Sequence, residues 1–175
     1  MSRIDDSSHE EIRHYAIVGR FFTNFAFCEL ILSQLLAHLI KARDMEAFEL
    51  VVRGMDARIK SERVRRAFAR YGLMGSGFKT RLNFFDKRAI PLRNLLAHNA
   101  HFAPSLAADH LLIGYLSKPA SFSPGESERV SVKRIEDISD WLYDWAMVIA
   151  CSLPLHDGKI FETNHPTMPQ PQEED

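Results

Sequence analysis

Between Val18 and Leu39 the chain places an apolar residue at every third or fourth position: Val18, Phe21, Phe25, Cys28, Leu32, Leu35 and Leu39. Only a helix gathers such steps on one side, because about 3.6 residues complete each turn. Phe22, Phe27, Leu30, Ile31 and Leu36 add apolar surface on other sides. A helix that is apolar beyond one stripe needs cover from several directions, either at the centre of a bundle or between subunits. This segment points to an all-α helical bundle, and its need for more cover than a five-helix monomer easily supplies points to a homodimer. Ser7 with Glu10, and Ser8 with Glu11, each fit a capping box, so the helix is expected to begin near His9.

Further along, Asp44 to Val52 reads as a short helix closed by Gly54, and Asp56 to Tyr71 as another closed by Gly72. The glycine-containing stretch from Tyr71 to Phe78 reads as a loop. A fourth helix is expected from about Lys79 to His98, interrupted by Pro91, whose ring clashes with the Lys87 carbonyl and kinks the rod just before Arg93. From His110 the period changes to that of strands, with "HLLIGYL" and "RVSVK" flanking a loop-like stretch. A small β-hairpin between about His110 and Lys133 is the economical reading. Ile135, Ile138, Leu142, Trp145, Ile149 and Leu153 return to helical spacing and form the last of about five helices, stopped by Pro154. One domain over residues 9–153 follows, with flexible tails at 1–8 and 160–175.

Charge and cysteine usage narrow the partners. The chain has 22 Lys and Arg against 23 Asp and Glu, so no overall basic excess draws it to nucleic acid; any such partner must be held by a local patch. One patch exists. Arg53, Arg58, Lys60, Arg63, Arg65, Arg66 and Arg70 fall close together against only Asp56 and Glu62. That concentration suits a phosphate backbone, although an ordinary solvated helix face is the commoner explanation of a charge run. Cys28 and Cys151 stand in apolar helical surroundings without any metal-ligand spacing, and are expected as buried free thiols of a reducing compartment. The N-terminal residues are too acidic for a secretory signal. Phe21 to Ile40 carries Thr23, Asn24, Glu29, Ser33, Gln34 and His38, too polar a set for hydrocarbon. A cytoplasmic protein without membrane attachment is expected.

The residues most suggestive of chemistry are Arg93 and His98. Five helical positions separate them by roughly 140° of rotation, so the side chains do not stack directly, but a long Arg can sweep toward a His one turn away and the spacing permits a shared pocket without demanding one. A histidine carries protons at neutral pH, and a guanidinium fork holds a phosphorane-like oxyanion bidentately. Asn94 lies four residues from His98 on the same helical side, where its amide can orient the ring or touch phosphate. An Arg and a His near a helix C-terminus also serve simply to complement the dipole.

The run Arg93-Asn94-Leu95-Leu96-Ala97-His98 resembles the R-x4-6-H signature of the HEPN superfamily (higher eukaryotes and prokaryotes nucleotide-binding domain), in its R-N-x-x-A-H form. The likeness extends to its setting at the end of a bundle helix, before a hairpin-like excursion and a closing amphipathic helix. Asn99 stands where a glycine is common, and Asn also tolerates a left-handed helix end. The resemblance implies a metal-independent endoribonuclease of the toxin or stress-defence kind, in which Arg93 and His98 of two subunits meet across a dimer. It implies equally, for other members, a non-catalytic module that binds RNA, a nucleotide or a protein partner. A cognate antitoxin or a nucleotidyltransferase partner belongs to the first of these.

Two supporting assignments complete the expectation. Glu29 is the one charged residue within Phe21 to Ile40; buried, it needs a cation, for which Arg93 is a candidate, and otherwise it sits at the solvent edge. Arg58, Lys60, Arg63, Arg65, Arg66 and Arg70 are the candidate RNA-binding residues. His98 and His101 are spaced for a shared metal, but no carboxylate or thiolate nearby in sequence completes a set, so neither metal nor cofactor is expected. A purely structural helical oligomer is the remaining reading.

Overall fold

The structure, a computed structural model, describes the backbone of residues 3–98, 101–104, 109–114 and 127–153, and the side chains of 9–44, 46–97, 109–111 and 129–153. Its helices are α1 (Arg3–Leu39), α2 (Met45–Arg53), α3 (Ala57–Arg70), α4 (Ser76–Phe84), α5 (Ile90–His98) and α6 (Val132–Ser152). A π-helical turn, Phe85–Ala89, joins α4 to α5 without a break, so these form one rod and the bundle has five rods among the described residues. Strands β1 (His101–Pro104), β2 (His110–Gly114) and β3 (Ser127–Ser131) lie between that rod and α6.

α1 carries the central stripe expected of it. Phe21, Cys28 and Leu32 are wholly buried, and α1 packs most extensively on α6, then on α3. The α1–α6 seam is filled by aromatic rings that continue into the rod. Phe25 stacks on Phe85 with centroids 5.4 Å apart, and Phe85 meets Trp145 at 5.9 Å. Trp145 lies over Trp141 at 5.0 Å and touches Phe78, which itself stacks on Phe68 of α3 at 4.2 Å. A buried polar bridge also crosses the seam, where the Asn24 amide donates to the Ser139 carbonyl and hydroxyl at 3.1 and 2.9 Å, and Arg20 pairs with Asp140 at its exposed edge. A buried amide satisfied on both counts costs little and fixes the register of the two helices.

Capping chemistry explains the short helices. The Asp44 carboxylate accepts from the Ala47 N–H and opens α2; the Asp56 carboxylate does the same from Ile59 and opens α3. Ser131 caps α6 through the Arg134 N–H. Gly72, at φ +68°, turns the chain after α3 through the left-handed region that glycine enters without strain.

Four expectations need correction. α1 begins at Arg3 rather than near His9, so Ser7 and Ser8 stand inside the helix rather than at its start. The irregularity near Pro91 is the π turn just before it. There the Ile90 N–H reaches back five residues to the Phe85 carbonyl, and this widening relieves the contact that the proline ring makes with the preceding turn of an α-helix. The hairpin is real but enlarged. β2 and β3 pair antiparallel, with buried Leu111 opposite buried Val130, and β1 adds a third strand along β2. β1 is short and ends in Pro104, a residue allowed only at a sheet edge, which hid it from pattern reading. Cys28 is buried as expected, whereas Cys151, in the last turn of α6, is exposed; both are free thiols. The tail at 160–175 lies outside the described residues.

By length and composition His9–Leu39 would suffice to cross a bilayer. In this fold its apolar stripe is turned into the core against α6 and α3.

Candidate functional site

The motif helix is anchored by its apolar side. Ile90, Leu92 and Leu96 are buried in the core, which turns Arg93 partly outward and leaves Asn94 exposed. The Arg93 guanidinium donates to the Asn94 side-chain oxygen at 3.2 Å. With that oxygen engaged, the Asn94 amide N–H groups face outward as donors. His98 closes α5, and its side chain lies outside the described residues, as do Asn99 and the side chain of His101.

Beside Arg93 and Asn94 opens a cleft of about 570 Å³. Its other polar walls come from three elements: Glu29 on α1, Arg53 at the end of α2, and Arg58 and Lys60 on α3. Phe25 and Ile90 contribute its apolar floor. The link between α2 and α3 is only Gly54, Met55 and Asp56, and its shortness keeps Arg53 and Arg58 on one rim. Asp56, the second carboxylate of the cleft, is engaged in capping α3. Arginines from α2, α3 and α5 thus converge on one concavity, the arrangement that suits a phosphate group.

Glu29 is paired, but with Lys60 rather than Arg93. The Lys60 ammonium lies 3.1 Å from the Glu29 carboxylate, and both side chains are largely buried. Lys60 reaches inward from α3 across the α1 surface, a neighbour that spacing along the chain does not reveal. Thiol chemistry is far from available close by: burial, aided by the adjacent Glu29 charge, pushes the Cys28 thiol far above its ordinary range.

The basic run does not act as one surface. Arg58 and Lys60 line the cleft. Arg65 turns to the π segment, donating to the Asp86 carboxylate at 2.7 Å and to the Asn83 oxygen at 3.1 Å. Arg66 pairs with Glu62 one turn earlier on the exposed side. Arg63 and Arg70 are exposed and do not line the cleft. Arg53 is the residue that sequence reasoning counted in the basic run without giving it a place; the helix break at Gly54 is the signal that sets it on the cleft rim.

A second, more apolar groove of about 380 Å³ adjoins the cleft between α1 and α2, walled by Leu30, Phe48 and Val52. The two concavities share Glu29, Arg53 and Lys60, so the ion pair stands at their junction. Among the described residues, no three His, Cys, Asp or Glu side chains gather as a metal-binding group. Set against family models, curated proteins and solved structures, the chain matches none.

Proposed function

We propose that this chain is a HEPN-like endoribonuclease of the toxin or stress-defence kind, cytoplasmic and homodimeric, acting through Arg93 and His98. The observation that carries the reading is the convergence of Arg53, Arg58 and Arg93 on one cleft beside the motif helix. In this reading the cleft receives the RNA backbone. Arg93 holds the non-bridging oxygens of the scissile phosphate, which gain charge as the 2′-hydroxyl attacks. His98 takes the 2′-hydroxyl proton or supplies one to the departing 5′-oxygen, and its counterpart in the second subunit performs the complementary transfer. Asn94, its oxygen fixed by Arg93, donates to phosphate.

The roughly 140° between Arg93 and His98 on one helix favours a composite site with half of each pair drawn from a different subunit. Exposed apolar residues on α1, Ile12 and Tyr15, supply surface for such contact. A protein antitoxin or a nucleotidyltransferase partner would act by covering or modifying this site. The test is incubation of purified protein with RNA in EDTA. The products expected are fragments ending in 2′,3′-cyclic phosphate, with DNA left whole because it lacks the nucleophile. RNA that binds in a salt-dependent way and stays intact would instead favour a non-catalytic RNA-binding module.

A further inference from the structure

The ion pair at the junction of the two concavities is placed to do more than neutralise a buried charge. Glu29 and Lys60 lie side by side, 3.1 Å apart, with 22% and 13% of their side chains exposed. They present an acceptor and a donor to the same space. On one side of them lie the arginines of the polar cleft; on the other lies an apolar groove large enough for a planar base. A ligand spanning both would carry a phosphate and a flat, largely apolar ring, whose hydrogen-bonding edge meets the pair.

The four RNA bases fit that pair unequally. Guanine shows O6 as an acceptor beside N1–H and the N2 amino group as donors. Lys60 can donate to O6 while the two Glu29 oxygens accept from N1 and N2, so every group on that edge is satisfied. Adenine offers one donor to the carboxylate. Cytosine offers one donor and two acceptors. Uracil sets O2 against a carboxylate oxygen, which repels it. Partial burial keeps these differences from being screened by water.

We infer that the Glu29–Lys60 pair is a specificity-determining element that reads a guanine base lodged in the α1–α2 groove, with that nucleotide's phosphate held by Arg53, Arg58 and Arg93. As a statement about which RNA is cut, it rests on the ribonuclease reading; as a statement about nucleotide binding, it stands alone. It predicts cleavage next to guanosine.

The experiment is calorimetric titration of the intact protein with the 3′-monophosphates of guanosine, inosine, adenosine, cytidine and uridine. GMP binds at least about tenfold tighter than AMP, CMP or UMP, in line with the discrimination a bidentate contact gives. Inosine monophosphate, which lacks only the N2 amino group, binds several-fold more weakly than GMP. Glu29→Gln erases the preference, while the Arg53→Ala, Arg58→Ala double variant weakens all five alike. Equal affinities across the series, GMP and IMP binding alike, or no saturable binding would each overturn the inference, and these readings on the unaltered protein do not depend on any variant folding. Guanine-selective binding with RNA left intact upholds this site and removes the ribonuclease reading; cleavage without guanosine preference does the reverse.

Discussion

At the scale of single residues, the basic run on α3 divides into side chains with different work, and two substitutions separate them. Arg65 bonds to Asp86 and Asn83 across a partly buried contact. Arg65→Ala is expected to cost about 1 kcal/mol, lowering the thermal midpoint by roughly 2–4 °C, with little change in RNA affinity. Arg58→Ala should leave the midpoint in place, weaken RNA binding and flatten its salt dependence. Calorimetry with filter binding decides between the two patterns. The cysteines divide likewise. Cys151 is exposed and Cys28 is sealed in the core with its thiol held protonated, so a thiol reagent should label one site in the native protein and two after denaturation. Rapid labelling of both in the native state would contradict the packing of α1. The sequence made Arg93, Asn94, Glu29, Arg58 and Lys60 visible as candidates because their type and context were unusual. It could not show that Glu29 takes Lys60 as its partner, since 31 residues separate them and only tertiary packing brings α3 across α1.

At the scale of elements, spacing rules carried the helices because each apolar period and cap is written locally. Asp44, Asp56 and the glycines after them mark α2 and α3 closely. What stayed hidden was the response of the backbone to a local conflict. Pro91 demanded relief, and a π turn over Phe85–Ala89 supplied it, stabilised by Phe85 between Phe25 and Trp145. This turn sets the rotation at which α5 presents Arg93 and Asn94 to the cleft. Pro91→Ala removes the steric demand and restores an N–H donor, so the rod is expected to regain α geometry there. Stability should hold or rise, while affinity for RNA falls as Arg93 rotates away. A structure of the variant with the π turn intact would assign the turn to the packing of Phe85 instead. β1 was hidden for a different reason: four residues ending in proline make no pattern, and only pairing with β2 defines them.

At the scale of the whole molecule, the first helix still has apolar residues to cover after the bundle has closed. Ile12 and Tyr15 remain about half or more exposed on α1, and Tyr143 and Met147 are exposed on α6. A second copy of the chain offers a matching surface by two-fold symmetry. Light scattering at micromolar concentration should therefore return twice the 20.1 kDa chain mass. A monomer there would remove the support for a site shared between subunits, and with it the means by which Arg93 of one chain meets His98 of the other.

In the proposed reaction Arg93 and His98 together cut RNA with no metal. Its most direct measurement is the rate of RNA cleavage in EDTA by the wild type, His98→Ala and Arg93→Ala, each first shown by circular dichroism to be folded. The wild type should cleave, with a loss of roughly 10²–10⁴-fold on removing the proton carrier and a substantial slowing when the guanidinium is lost. Cleavage that survives His98→Ala undiminished, or a wild type that leaves RNA whole, would contradict it.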